Sequence, residues 1–532
     1  MEMKNINNIP VEKFKFANRG GNLHDKKLDT KPVSYLQDAF RRFCKNKGAV
    51  VGGIVIAILV LFSIVGPLFT PYEPAYMDQM FAYATPKLPL FADLGIDFWD
   101  GYKVKRDANY LTYIKDLALS QELGKEVIKN GEVTFGEKDG ATTYTYRYDT
   151  YAGVGFGKYK TISKEEYEDI QRYQIETGRQ VLYPTVRYGD RPTLEKNKYD
   201  ANIYYVTENP NASQIRPKLD SDGKIIPNYW TYEAGTTTSS LMASYNSLRI
   251  EGEDGIQKNG KTYYYAYGRN VDGGIEVRAD YYEYYTYQHS LSEDDDIGEP
   301  LFIFGTTDRG KDILACLSYG ARFSFIFAII VAATNLIVGV IWGSISGYYG
   351  GKIDIAMERF VEILGAVPTM IVITLLRYHM GASSQTLVLF ITFFATGWIG
   401  MAGRTRMQFY RFKNQEYVLT ARTLGAKDRR IMFKHIFPNA IGTLVTSCAL
   451  IIPSMIYSET SLSYLGIINL ESGNTTSVGT LIAAGQAAIT KEGAGYIAMF
   501  PCLFLVLLML SFNLFGNGLR DAFNPSLRGS EE

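Results

Sequence analysis

The sequence predicts an α-helical membrane protein of about six transmembrane helices, with an inserted α+β, mostly β, domain. Apolar runs long enough to cross a bilayer lie near the start of the chain and throughout its second half. Between them lies a long polar stretch, rich in Tyr and Gly, that contains no such run. The 532 residues carry no formal net charge. The average composition conceals two kinds of segment, the apolar runs and the long polar stretch.

The chain opens with a polar tail, residues 1–34. In residues 35–48, apolar side chains recur at helical spacing among Arg and Lys, which predicts an amphipathic interfacial helix. That helix lies either along membrane lipid or against a protein partner. The first apolar run follows at residues 49–70. It is too long for a cleavable signal and lacks an A-x-A-like end, so we expect a retained helix.

A helix needs roughly 20 apolar residues to cross the hydrocarbon core. Residues 323–532 are predicted to form a membrane core holding the second to sixth spans, preceded by a connecting segment at residues 301–322. Gly339, Gly343 and Gly347 recur every fourth residue of the second span and predict close packing on another helix. The predicted apolar spans, of which the third and fourth are the least clear, are Ala49–Phe69, Phe323–Tyr348, Phe360–Leu376, Thr386–Ala402, Ile441–Tyr457 and Ile497–Leu514.

Positive charge is concentrated before the first span, between the fourth and fifth spans, and after the sixth. An even number of spans puts these three places on one side of the membrane, and Lys and Arg favour the cytoplasmic side. We therefore expect both termini and a loop at residues 404–440 to be cytoplasmic and residues 71–300 to be extracellular. Arg377 is an exception, since it falls on the outer side.

The inserted region, residues 71–300, is long enough to bury a core of its own. A capping box that begins at Ser163 and a terminator at Gly178 predict a helix between them. The many tyrosines are either half-buried strand residues, which we favour, or a recognition surface. The acidic run at residues 293–296 lacks the EF-hand pattern and indicates a solvated turn. Runs rich in Thr and Tyr predict strands at Thr142–Tyr148, Lys261–Tyr267 and Ile275–Tyr287.

No pattern typical of catalysis or metal binding is present. The four cysteines and four histidines show neither C-x-x-C nor H-E-x-x-H spacing, and no G-x-x-x-x-G-K-[ST] phosphate loop occurs. We therefore expect a non-catalytic chain with no metal site and no bound cofactor. A nucleic-acid partner is not expected either.

Four stretches resemble the inner-membrane permeases of peptide-type ABC importers, in particular the C-type subunit of oligopeptide and dipeptide permeases. The first runs from Phe304 to Asp312 and continues at Tyr319–Ser324. It is similar to the family's F-G-T-D-x-x-G-R-D followed by Y-G-A-R-x-S, with Thr307 and Lys311 as departures. The motif residues before the second span are Gly305, Thr306, Asp308, Gly310, Asp312, Gly320 and Arg322.

The second stretch, Gly347–Asp354, resembles the family's turn between the second and third spans. The fourth, Asn513–Pro525, resembles the ending N-x-x-G-D-x-L-R-D-x-x-D-P, with asparagines in place of two acidic residues. The matching residues of this ending are Asn513, Gly516, Arg520, Asp521 and Pro525.

The third stretch, Glu416–Ala426 continuing to Asn439, resembles the EAA loop by which such permeases dock onto their ATPases. Its pattern predicts a short helix ended by Gly425 in a left-handed turn, then a second helix that ends at Pro438. A loop that anchors the chain to anionic lipid is the alternative. The resemblance implies an ATPase-coupling surface at Glu416, Tyr417, Ala421, Gly425, Ala426 and Pro438.

The resemblance implies a type I ABC importer permease that takes up oligopeptides or dipeptides across the plasma membrane of a Gram-positive bacterium. The implied partners are a second homologous permease, two ABC ATPases that bind ATP and Mg²⁺, an extracellular substrate-binding (lipo)protein, membrane lipid and the peptide substrate. Import of nickel, opines or oligosaccharides is the alternative within transport. A receptor or adhesin that displays the inserted domain without transport is the alternative outside it.

Overall fold

The computed structural model describes residues 35–129, 132–154, 159–184, 208, 216–227, 229, 231–235, 247–291, 298–381 and 385–523. Within these residues five helices are long and apolar enough to cross a membrane, and a bent helix pair makes up to six. The predicted class of helical membrane protein is confirmed. We name the spans first to sixth: Lys47–Phe69, Ile313–Tyr349, the pair Gly351–Gly365 and Thr369–Met380, Gln385–Phe412, Asp428–Tyr464, and Tyr496–Phe523.

The second and fourth spans pack along a row of glycines. A Cβ added at Gly343 would lie 2.2 Å from the Ala402 carbonyl oxygen, and one at Gly347 would lie 2.7 Å from the Arg406 carbonyl oxygen. Backbones come this close only where a residue has no side chain. The close packing that the glycine spacing predicts is therefore confirmed, with the fourth span as the partner.

The predicted third span, Phe360–Leu376, is wrong as a single straight helix. Two helices meet there at 67°, the first ending at Gly365 and the second beginning at Thr369. Pro368 has no amide hydrogen and disfavours the helical conformation in the residue before it, so the helix stops just ahead of it. The apolar run is continuous across this break, which is why hydropathy did not reveal it.

The amphipathic helix spans Tyr35–Lys45. It packs on the sixth span of its own chain, where the Phe43 and Phe515 rings meet edge to face with centroids 5.2 Å apart. Phe40 remains 67% exposed. One face of this helix is therefore held by the bundle, while Phe40 projects away from it.

The described residues of the inserted region form three small antiparallel sheets. Tight turns with positive φ at Asp139 and Gly140 connect β2 to β3, and the same geometry at Asn259 and Gly260 connects β7 to β8. The sheet orders are β1-β3-β2, β4-β10-β5 with β9 also on β10, and β6-β8-β7. The strands are β1 Tyr102–Ala108, β2 Thr134–Lys138, β3 Ala141–Asp149, β4 Tyr159–Ile162, β5 Leu182–Tyr183, β6 Thr231–Glu233, β7 Ile256–Lys258, β8 Lys261–Tyr265, β9 Gly268–Val271 and β10 Gly274–Ala279.

Local signals located three elements of this region correctly. The predicted strand Thr142–Tyr148 lies within β3, and β8 covers the first five residues of Lys261–Tyr267. The predicted helix is Lys164–Thr177, with the Ser163 hydroxyl accepting a hydrogen bond from the Glu166 amide at 3.1 Å. Among the described residues, further α-helices outside the spans are Pro89–Asp93, Tyr110–Leu123, Tyr281–Ser290, Glu416–Thr423 and Val478–Ala488.

The predicted strand Ile275–Tyr287 is wrong in its second half. The chain leaves β10 at Ala279, and Tyr281–Ser290 forms a helix whose N-cap, Asp280, accepts from the Tyr282 amide at 3.0 Å. Tyr284, Tyr285 and Tyr287 are buried there. Packing of these rings outweighs the strand preference of tyrosine. The acidic run at residues 293–296 lies outside the described residues.

Candidate functional site

The loop between the fourth and fifth spans forms a compact elbow, which we define as residues 416–439. Its helix ends with the Ala426 amide donating to the Ala421 carbonyl and the Gly425 amide donating to the Arg422 carbonyl, both at 3.0 Å. Gly425 has φ +81°. This pair of bonds is the Schellman arrangement, in which a glycine takes the left-handed position. The predicted helix and its terminating turn are confirmed.

The elbow has an apolar core of its own. Val418, Ile431 and Ile436 are fully buried, and they pack with Tyr348 of the second span and Phe409 of the fourth. The inner face of the short helix therefore packs against both the second and the fourth span. The elbow is a packed extension of the bundle.

The outer face of the elbow is apolar as well as charged. Leu424 is 82% exposed, and Tyr417 and Phe433 are each about half exposed. Glu416 and Gly425 are also exposed, whereas Ala421 is buried and Ala426 is partly buried. Of the predicted coupling residues, the two alanines therefore support the elbow from within. Sequence reasoning missed Leu424, although a large apolar residue beside a helix-ending glycine was the available signal.

The predicted end of the second elbow helix at Pro438 is wrong. The helix that begins at Asp428 continues through a π turn at Ile431–Ile436 into the fifth span and ends at Tyr464. A proline lacks an amide hydrogen, and its ring crowds the carbonyl four residues earlier. A π turn, which bonds residues five apart, ends two residues before the proline, and its wider spacing accommodates both defects.

A hydrogen-bonded link joins the elbow to the end of the second span. The Tyr348 hydroxyl donates to Asp428 Oδ1 at 2.6 Å and accepts from Arg422 Nη2 at 3.4 Å. Tyr348 lies in the last turn of its span. The elbow is therefore hydrogen-bonded directly to that span.

Beside this link, Asp354 of the third span binds two neighbouring spans. Arg406 Nε and Nη2 donate to its two carboxylate oxygens at 2.6 and 2.7 Å, and the Tyr410 hydroxyl donates at 2.6 Å. The Ser346 hydroxyl of the second span donates to the same carboxylate. Bidentate pairs of this kind fix orientation as well as distance. Sequence reasoning placed Asp354 in a family-like stretch but gave it no role.

At the opposite end of the second span, residues 302–322 form what we call the junction. The Thr306 side chain accepts from the Ala84 amide at 2.9 Å and donates to the Phe81 carbonyl. Asp312 caps the second-span helix by accepting from the Leu314 and Ala315 amides, at 3.2 and 3.1 Å. These motif side chains point into the protein and hold it together.

Glycines of the junction allow close backbone contacts, as at Gly310 and Gly320. Gly310 has φ +74°, and a Cβ there would lie 1.7 Å from the Asp78 carbonyl oxygen. A Cβ at Gly320 would lie 2.8 Å from the carbonyl carbon of Ser477. The junction therefore touches both the start of the inserted region and the segment that precedes the sixth span.

The remaining junction motif residues have separate surroundings. Gly305 has φ +77°, and a Cβ there would lie 2.7 Å from the Ala84 carbonyl oxygen. Arg322 Nε donates to the Ser63 carbonyl of the first span at 3.1 Å. Asp308 is half-buried and lines a cavity of about 430 Å³. Most of the predicted motif is thus structural, whereas Asp308 lines open space.

Aromatic rings complete the junction. Tyr72 stacks on Phe302 with ring centroids 4.8 Å apart, and Phe81 meets Tyr285 edge to face at 5.3 Å. Both pairs belong to one buried cluster that also contains Tyr151. The start, middle and end of the inserted region are thereby joined in a single core with the junction that follows it.

The predicted C-terminal motif lies on the sixth span. A Cβ at Gly516 would lie 2.5 Å from Leu450 Cδ2 of the fifth span, so this glycine permits close packing of the two spans. The Asn513 side-chain amide donates to the Met509 carbonyl at 2.9 Å. Arg520 and Asp521 are exposed. Pro525 lies outside the described residues.

The described residues form a helical bundle of five or six apolar spans, with the packed elbow at one end and the junction to the inserted region at the other, which defines a multi-pass membrane protein. Residues 339–529 match the family described as "Binding-protein-dependent transport system inner membrane component". Residues 34–86 match the "N-terminal TM domain of oligopeptide transport permease C". The chain belongs to this family of transport permeases.

Curated relatives agree with this assignment. The chain is 42% identical over 225 residues to "Oligopeptide transport system permease protein OppC" of Bacillus subtilis, covering 42% of this chain and 72% of the relative. It is 38% identical over 225 residues to "Dipeptide transport system permease protein DppC" of the same organism, covering 42% and 69%. An inward-facing structure of the MetNI methionine ABC transporter aligns with 13% identity and a TM-score of 0.31, covering 38% of this chain and 94% of that chain.

Proposed function

We propose that this chain is the permease subunit of an ABC importer that takes up oligopeptides or dipeptides. The names of the curated relatives support peptides as the cargo and do not favour nickel, opines or oligosaccharides. A second permease would complete the path, and an external binding protein would deliver the peptide. In this arrangement both termini and the elbow face the cytoplasm, and residues 71–300 face outward, as the distribution of Lys and Arg supports.

The elbow is the proposed docking surface for one of the two ATPases, which bind ATP and Mg²⁺ and carry out the hydrolysis. The observation that carries this proposal is Leu424, which is 82% exposed at the end of a helix whose other face is fully packed. An exposed apolar side chain on a rigid support is typical of a protein contact. The bond between Tyr348 and Asp428 would carry motion of the docked ATPase into the second span.

The test is Leu424→Glu in the chain co-expressed with its partner permease and ATPases. Since the side chain is exposed, the variant should fold and insert normally, while a buried charge at the docking contact should weaken binding of the ATPases at least about tenfold. Co-purification of the ATPases and uptake of a radiolabelled tripeptide measure the two effects.

Leu94→Glu is the matched control, because Leu94 is 70% exposed and lies in the inserted region. It should leave co-purification and uptake unchanged. Normal uptake by the Leu424 variant would refute docking through the elbow. Wild-type cells that lack any ATP-dependent peptide uptake would refute the proposed function itself.

A further inference from the structure

A cleft of about 800 Å³ lies between strand β1 of the inserted region and residues 489–496, which lead into the sixth span. We call it the edge cleft. Its volume lies within the range of small-molecule sites, roughly 300–1,000 Å³. Four cationic side chains and two acidic ones line it: Lys103, Arg106, Arg147, Lys491, Asp97 and Glu492.

The edge cleft runs along the free edge of a sheet. β1 is the outer strand in the order β1-β3-β2. Tyr102, Lys103 and Val104 all line the cleft, although successive side chains of a strand point to opposite faces. Only the edge of a strand presents residues from both faces to one space. The cleft therefore faces the backbone of β1.

The hydrogen-bond register shows which backbone groups face the cleft. Gly101, just before β1, accepts from the Thr150 amide at 3.1 Å, so the odd-numbered residues bond toward β3. Val104 lies opposite Arg147, whose carbonyl accepts instead from the Lys129 amide at 3.0 Å on the far side of β3. The amide and carbonyl of Val104 therefore point away from β3 and into the cleft.

The outward-pointing amides two residues before and two residues after Val104 already donate to carboxylate side chains. The Tyr102 amide donates to Asp100 Oδ1 at 3.0 Å, and the Arg106 amide donates to Glu492 Oε2 at 3.5 Å. Within the described part of the chain, no group bonds the amide or the carbonyl of Val104. A free donor and acceptor on one residue are what an added strand requires.

Lys103 supplies a positive charge next to this free pair. It is partly buried, and no carboxylate of the described residues lies within 4 Å of its ammonium group. Burial and the neighbouring Lys105 lower the pKa of Lys103. An anion that reaches this ammonium would offset the cost of its burial, because a partly buried charge is stabilised by an opposite one.

We propose that the edge cleft binds a short peptide in extended conformation, which pairs with Val104 as an added strand and places its C-terminal carboxylate on Lys103. This inference rests on the proposed function in that the ligand is the proposed cargo. Main-chain hydrogen bonds do not depend on the side chains of the bound peptide, so this mode of binding suits a carrier of peptides of varied sequence. At about 3.3 Å per residue, an extended tetrapeptide is about 13 Å long, which is shorter than the seven-residue strand β1.

The test measures binding of tetra-alanine and of its C-terminal amide to the full chain in lipid nanodiscs. Val104→Pro removes the outward amide without removing a ladder bond, and proline is tolerated on strand edges, so β1 should persist. We expect about tenfold weaker binding of both probes. Val104→Ala keeps the amide and should bind as the wild type does.

Lys103→Gln tests the carboxylate separately and does not depend on the folding of the proline variant. It should weaken binding of the free acid about fivefold or more and leave the amide unchanged. Equal binding of acid and amide by the wild type would overturn the role of Lys103. Wild-type affinity in a folded Val104→Pro variant would overturn the pairing.

Uptake separates this inference from the proposed function. If Val104→Pro binds tetra-alanine normally while the wild type imports peptide, the edge cleft is not a peptide site and the proposed function stands. If the wild type binds tetra-alanine at Val104 but imports no peptide, the site stands and the proposed function falls. If tetra-alanine does not bind but the variant loses the external binding protein, the cleft holds a segment of that protein and the proposal is wrong.

Discussion

The junction and the elbow lie at opposite ends of the second span and use the same local device, a glycine with positive φ beside a helix end. Their surroundings differ. A Cβ at Gly310 in the junction would lie 1.7 Å from a backbone oxygen, whereas a Cβ at Gly425 in the elbow would meet nothing within 4 Å. Thr306 and Asp312 of the junction are buried, whereas Glu416 and Leu424 of the elbow are exposed. Two motifs of one family therefore serve different ends, one as internal support and the other as an available surface.

The largest difference between the junction and the elbow is expected for the variants Gly310→Ala and Gly425→Ala. Both substitutions introduce left-handed strain of about 1–2 kcal/mol. Only the first also forces a side chain into a backbone oxygen, so it should cost about 3 kcal/mol or more in total. Thermal unfolding of the purified chains measures the difference. Equal loss of stability in both variants would show that the junction relaxes and is not a rigid support.

Asp354 tests whether the exposed elbow also has buried support, because its carboxylate is a buried group near the elbow. Asp354→Asn leaves Arg406 without its bidentate partner and should cost about 2–4 kcal/mol. Glu358→Gln is the control, since its carboxylate lies 3.4 Å from Arg406 and is partly exposed. It should cost under about 1 kcal/mol. Unfolding midpoints compare the two, and a similar cost for both would mean that Arg406 exchanges partners freely.

Tyr348→Phe tests whether the elbow is mechanically linked to the second span. The loss of one hydroxyl that bonds Asp428 and Arg422 should cost about 1 kcal/mol of stability. Peptide uptake should fall more than co-purification of the ATPases does, because docking remains while transmission weakens. Tyr349→Phe, at a half-exposed neighbour, is the control. Uptake that falls only in proportion to ATPase binding would argue against a separate transmitting role.

The smallest expected effect is a dependence of stability on pH that arises at the junction. Burial raises the pKa of Asp312 to about 6, from an ordinary value of 3.8. The folded chain thus holds an extra proton between these values, and the stabilisation it brings is lost as pH rises from about 4 to about 6. Asp312→Asn keeps the helix cap and removes the titration. The unfolding temperature of the wild type relative to this variant should fall over that range, and a flat difference would contradict a buried carboxyl.

Sequence patterns located the features that arise within a few residues or from composition. The spans follow from the transfer of apolar runs into lipid, and the Gly425 turn and Ser163 cap follow from bonds within one helical turn. The same patterns failed at Ile275–Tyr287, where buried tyrosine rings on a helix outweigh strand preference. They failed again at Phe360–Leu376, because a hydropathy pattern does not show that a proline divides an apolar run into two helices.

The sequence by itself determined the class of protein, the number and approximate position of the apolar spans, and the family whose motifs the chain carries. Only the tertiary structure decided which motif residues are buried, that Asp354 joins three spans, and that β1 presents a free edge to a cleft. The reason is physical. Helix caps and apolar transfer depend on neighbouring residues, whereas burial, ion pairing and strand order depend on segments that lie far apart along the chain.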